Sequence, residues 1–113
     1  MDIKIARDYE YAPEWNDNQK DVNPIVVKLK YLTPGERDDC YGWEGDKWVP
    51  DVKQMFLKAL VSVTNLAVYA DDSDKPKKDW TAQDILDTPG LDGLFAELSI
   101  DILKQNARRD SKN

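Results

Sequence analysis

Residues 24–32 constrain this chain more than any other stretch. In Pro24-Ile25-Val26-Val27-Lys28-Leu29-Lys30-Tyr31-Leu32, Val27, Leu29 and Tyr31 fall on one face and Lys28 and Lys30 on the other. A period of two with a β-branched start predicts a strand and opposes a helix. A face that carries two lysines belongs to a sheet wet on one side, an arrangement antiparallel sheets tolerate. Upstream, Ile3, Ile5, Tyr9 and Tyr11 share odd parity, broken by Arg7 and ended by Pro13. Glu14 to Asp21 is polar and dense in turn formers. The first thirty residues therefore predict a β-hairpin with a long connection.

Helix signals dominate the rest. Thr33-Pro34-Gly35-Glu36 places a capping threonine before a proline, with a glutamate able to return the capping-box bond. The helix it opens is short, because Tyr41-Gly42-Trp43-Glu44-Gly45-Asp46-Lys47 reads as a loop with two glycines. Tyr41, Trp43 and Trp48 are unusual company for a loop. Val52, Met55, Phe56, Ala59 and Leu60 then repeat with helical spacing, whereas Val61, Val63, Thr64 and Val68 are β-branched. This predicts a helix of two to three turns running into a strand near residues 61–69, with a single helix to about residue 66 as the rival. Residues 70–79 read as a flexible surface loop. Trp80-Thr81-Ala82-Gln83-Asp84-Ile85 has the pattern of a helix start, with Thr81 as cap and Asp84 as the capping-box acid. Thr88-Pro89-Gly90-Leu91 looks like a second such start, opening the longest helix. Its stripe is Leu91, Leu94, Phe95, Leu98 and Ile102, widened by Ile100 and Leu103. Lys104, Arg108 and Arg109 are expected in its last turns and residues 110–113 as a frayed tail. The expected fold is a single α+β domain over residues 1–113. A β-hairpin or small antiparallel sheet packs against two to four helices, the C-terminal one long.

Residue counts narrow the function. A chain of 113 residues supports one modest core. The net charge of −6, with basic residues scattered, argues against nucleic acid as a ligand. Histidine is absent, which removes most general-base and transition-metal schemes, and Cys40 is the lone cysteine. One cysteine forms no intramolecular disulfide and no multi-cysteine zinc site. Without a strong cationic neighbour its expected role is that of a small, partly buried apolar side chain. Asn16-Asp17-Asn18 with Asp21, and Asp71-Asp72-Ser73-Asp74, offer oxygen ligands for calcium but lack the ordered spacing and glycine of a calcium loop. Carboxylate catalysis has 22 acids to draw on and no motif to order them. No cofactor motif is present. The apolar-rich run from Met55 to Tyr69 is too short and too polar to span a bilayer, and no signal-peptide stretch opens the chain. The reading is a non-enzymatic, cytoplasmic protein with no cofactor and no membrane partner.

What remains is contact with protein. Trp15, Trp43, Trp48 and Trp80 lie in or beside predicted loops, where a tryptophan either lids a small core or anchors an interface. Trp15 and Trp43, flanked by turn formers, are the candidate anchors. The stripe Leu91, Leu94, Phe95, Leu98 and Ile102 is wide enough to serve as core and also dock a partner helix or another subunit.

The order of features resembles the tail-assembly chaperones, small accessory proteins encoded among the tail genes of long-tailed bacteriophages. The resemblance runs through Pro24-Ile25-Val26-Val27, Leu32-Thr33-Pro34-Gly35-Glu36-Arg37, Val61-Ser62-Val63-Thr64-Asn65-Leu66 and Asp84-Ile85-Leu86-Asp87-Thr88-Pro89-Gly90-Leu91, ending in Leu94 and Glu97-Leu98. It covers about two-thirds of the chain and is one of spacing and residue type, without a signature motif; the β-rich first third departs from the mainly helical pattern of that group. It implies a protein that keeps the long hydrophobic helices of a tape-measure protein soluble during assembly in the host cytoplasm. The alternative is a structural virion component, such as a tail-terminator, connector or minor tail protein, that self-assembles and stays in the particle.

Overall fold

A computed structural model describes residues 1–106. Three strands, β1 (Asp8–Tyr11), β2 (Val26–Lys30) and β5 (Leu60–Thr64), form an antiparallel sheet in the order β1-β2-β5. Between β2 and β5 in sequence lie α1 (Pro34–Asp39), the two-stranded hairpin β3 (Tyr41–Glu44) and β4 (Lys47–Pro50), and α2 (Val52–Ala59). Two helices follow the sheet, α3 (Ala82–Asp87) and α4 (Asp92–Asn106). The molecule is α+β, with a small antiparallel sheet and a long C-terminal helix, as the pattern predicts.

The period-two reading of residues 24–32 sets the sheet's orientation. Tyr9 pairs with Leu29, Tyr11 with Val27, and Val27 with Val63, so this face carries the apolar side chains. Val27 and Leu29 are fully buried there. The opposite face bears Asp8, Glu10, Lys28, Lys30 and Ser62, and an exposed Lys28–Asp8 ion pair at 3.7 Å. Between Lys28 and Leu29 the register with β5 slips by one residue, leaving Val61 as a bulge that points to solvent. The predicted first strand is shorter than expected. Ile3 and Ile5 lie outside it and are exposed, and only Arg7, accepting from the Tyr31 N–H at 2.9 Å, extends the ladder.

Helix signals act locally and mostly where expected. Thr33 and Thr81 both complete capping boxes, with Glu36 and Asp84 respectively, and Asp51 caps α2 through the Gln54 N–H. Met55, Phe56 and Ala59 bury the inner face of α2, which then passes directly into β5. The rival single helix to residue 66 is thereby excluded. Thr88-Pro89 does not open α4. Thr88 instead ends α3, its hydroxyl donating to the Asp84 carbonyl at 2.7 Å, and Gly90 turns the chain at φ 94°. Proline after a helix stops it as readily as proline at the first position starts one, and the two patterns look alike in sequence. The loop after β5 is less free than its composition suggests, since Val68 and Lys77 bridge antiparallel across it. Arg108, Arg109 and residues 110–113 lie outside the described residues.

Sheet and helices close on one core. Val27 and Leu29 from β2, Met55 and Phe56 from α2, Ile85 from α3, and Leu94, Leu98 and Ile102 from α4 belong to a single buried cluster. Phe56 meets Phe95 edge to face at 4.9 Å, joining α2 to α4.

Candidate protein-binding surface

The six sequence-predicted contact residues outside the hairpin prove to be occupied within the molecule. Leu91, Leu94, Leu98 and Ile102 are buried, and Phe95 is half-buried against Phe56. The stripe is core because α4 is enclosed by α2, α3 and the sheet, and its sequence width reflects neighbours on several sides. Of the large apolar residues described on this helix, Ile100 alone is strongly exposed. Trp15 opens a 3-10 turn, Trp15–Lys20, and its indole lies over Gly93, where a methyl group would come within 2.9 Å of the ring. Its backbone N–H donates to Glu97 at 2.8 Å. Trp15 is a lid on the start of α4, not a free anchor.

Trp43 behaves differently. The segment expected to be a loop is the β3–β4 hairpin, joined by the two residues Gly45-Asp46. Gly45 takes φ 65° at the first central position, which glycine allows at no steric cost in a tight hairpin turn. The register pairs Tyr41 with Pro50 and Trp43 with Trp48, so all four side chains share one face. Tyr41 stacks on Trp48 with centroids 6.0 Å apart, and Trp43 meets Trp48 edge-on at 5.2 Å. Trp43 is 71% exposed and Trp48 51%, whereas Tyr41 and Pro50 are half-buried at the base. The hairpin sits beside α1 and is tied to the body where the Asp51 N–H donates to the Cys40 carbonyl at 2.5 Å. Sequence reasoning missed Trp48 as a partner of Trp43. The signal lay in their equal distance from Gly45-Asp46, a two-residue hairpin turn flanked by aromatics.

Cys40, Asn18 and the Lys30–Glu36 pair are each engaged within the fold. The Cys40 thiol is fully buried at the hairpin's foot, and burial pushes its pKa up, away from the reactive thiolate. Asn18, in one of the calcium-like stretches, is buried. It holds the Pro13 carbonyl, the Ile25 carbonyl and the Ile25 N–H at 2.6–3.1 Å. A shallow groove of about 880 Å³ lies between the N-terminal arm and the end of β2, lined by Ile3, Ile5, Lys30, Leu32, Pro34 and Val61. Its one acid–base pair is structural: the Lys30 ammonium bonds Glu36 and, with the Thr33 backbone, holds that carboxyl below the usual carboxylate range. Among the described residues no cluster of acids and cysteine is arranged to hold a metal, and no helix is long and apolar enough to cross a membrane.

No protein-family model, curated protein or solved structure shows significant similarity to the chain.

Proposed function

We propose that this chain is a non-enzymatic protein-binding domain whose contact surface is the aromatic face of the β3–β4 hairpin. One observation carries the reading. Trp43 and Trp48 expose most or half of their surface on a hairpin whose foot, at Cys40 and Tyr41, is the part packed on the core. Large aromatics held rigid at a surface are the residues that dominate interface energetics, because they bury much area at low entropic cost. The resemblance to tail-assembly chaperones gives the setting: a cytoplasmic accessory factor that binds a tape-measure-like tail protein and leaves before the particle is complete. The apolar stripe of α4 no longer supports that role, so the hairpin is asked to carry it.

Co-expression with the neighbouring gene products, followed by pull-down, tests both levels. Wild-type protein is expected to retain a long helical partner that the Trp43→Ser, Trp48→Ser double variant loses while keeping its circular dichroism. Equal retention by the two would remove the hairpin from the interface. A second reading rests on the uncapped edges of the sheet. Among the described residues, β1 and β5 border no further strand, and the exposed Val61 sits on β5, so lateral pairing of copies would suit a structural virion component. Mass spectrometry of purified particles separates the two, since a structural component is found there and a chaperone is not.

A further inference from the structure

Charge around the hairpin specifies the chemistry of its partner, on the reading that the hairpin is a protein contact. Residues 38–51 contain Asp38, Asp39, Glu44, Asp46 and Asp51 against the single cation Lys47, a net −4 of the chain's −6. All five carboxylates are exposed, and among the described residues none is engaged in an ion pair. Along the hairpin, Asp38, Asp39 and Asp51 lie at the foot and Glu44 and Asp46 at the tip, with Glu44 on the edge of the ribbon opposite Lys47, on the face away from the tryptophans. The foot also faces Lys58 of α2, and both Asp39 and Asp51 are near enough to Cys40 to act on its thiol together with that lysine.

We infer that the aromatic hairpin receives a cationic amphipathic helix of a partner protein, its apolar side chains on Trp43 and Trp48 and its Lys or Arg heads on the surrounding carboxylates. The dimensions agree. Four residues of strand run roughly 13 Å, enough for two turns of helix, and a two-stranded ribbon is about as wide as a helix with its side chains. Indole faces also attract ammonium and guanidinium groups directly. The molecule already uses that contact once, seating the Lys77 ammonium 5.1 Å over the Trp80 ring. An acidic helix would meet the same tryptophans but also the net negative charge of residues 38–51. A second copy of this chain is disfavoured because it would bring two such acidic rims together.

The test uses the full chain and synthetic helical peptides with leucine on one face and either lysine or glutamate on the other. Binding is read from tryptophan fluorescence and checked by calorimetry. The lysine peptide is expected to bind at least about tenfold more tightly than the glutamate peptide and to weaken severalfold between roughly 0.1 and 0.5 M salt. Asp38→Asn, Asp39→Asn, Glu44→Gln and Asp46→Asn combined are expected to abolish that preference while the far-ultraviolet spectrum stays unchanged. Asp51 is left intact because it caps α2. Equal binding of both peptides, binding of neither, or a lysine preference that survives both the carboxylate variant and Trp43→Ser, Trp48→Ser overturns the inference. So does a concentration-dependent dimer that the tryptophan variant dissolves. If that variant loses its partner in the pull-down yet the peptides bind equally, only the cationic chemistry fails and the protein-binding role stands.

Discussion

At the scale of single residues, the most consequential polar side chains are amides. Asn18 closes the loop between β1 and β2 by satisfying three backbone groups, two of them on Ile25 at the threshold of β2. The 3-10 turn it belongs to holds Asn16 and Asp17 at φ 56° and 57°, a conformation these residue types tolerate better than most. Asn106 does similar work at the other end, its Oδ1 accepting from the Leu32 N–H at 2.6 Å and its Nδ2 donating to the Ile102 carbonyl at 3.0 Å. Neither role is visible in sequence, because an asparagine in a polar run looks the same whether it faces water or a buried carbonyl. Replacing Asn18 with Ala leaves buried backbone groups unpaired and is expected to cost about 2–4 kcal/mol, read as a lower urea midpoint with unchanged slope.

At the scale of elements, β1 is fastened to α4 by tyrosines. The Tyr9 hydroxyl donates to Asp101 at 2.9 Å and Tyr11 to Glu97 at 2.5 Å, and Glu97 also accepts the Glu14 and Trp15 N–H groups. These contacts span more than 80 residues of sequence. Burial, and then the neighbouring carboxylate, push both phenols well above the usual tyrosine value of 10.0. The folded state therefore keeps these protons where the unfolded chain releases them. The resulting stability is complete below pH 10 and is lost as the pH rises beyond it. Urea midpoints measured from pH 8 to 11.5 are expected to fall above about pH 10, and to fall less steeply in Tyr9→Phe, Tyr11→Phe, which starts from a lower midpoint. Period-two spacing exposed the two tyrosines as a strand face. That their hydroxyls reach a helix was beyond it, since spacing reports which way a side chain points and not what it meets.

At the scale of the whole molecule, a compact body carries extended appendages. The radius of gyration is 16.0 Å, against roughly 13 Å for a compact chain of this size. The arm before β1 and the tip of the hairpin are exposed. Stability and contact are accordingly separated in space. Leu98→Ala removes a fully buried side chain and is expected to cost about 2–5 kcal/mol. Trp43→Ser, on the hairpin, is expected to change global stability by less than about 1 kcal/mol. Parallel urea titrations check the contrast, and similar losses in both would mean that the hairpin belongs to the cooperative core.

Local rules were enough for much of this protein. Capping boxes at Thr33 and Thr81 and the buried face of β2 follow from hydrogen-bond geometry and periodicity within a few residues, so the sequence by itself determined them. Residues 61–66, by contrast, suited strand or helix until pairing with β2 fixed the strand. Tertiary structure decided three further things that such rules cannot reach. It made Thr88-Pro89 a stop instead of a start, because only the approach of α4 shows where the chain must turn. It spent the stripe of α4 on the core, because burial depends on how many neighbours a helix has. And it raised Tyr41, Trp43 and Trp48 from a glycine-bearing loop into one aromatic face, because cross-strand pairing joins residues whose kinship no single strand displays.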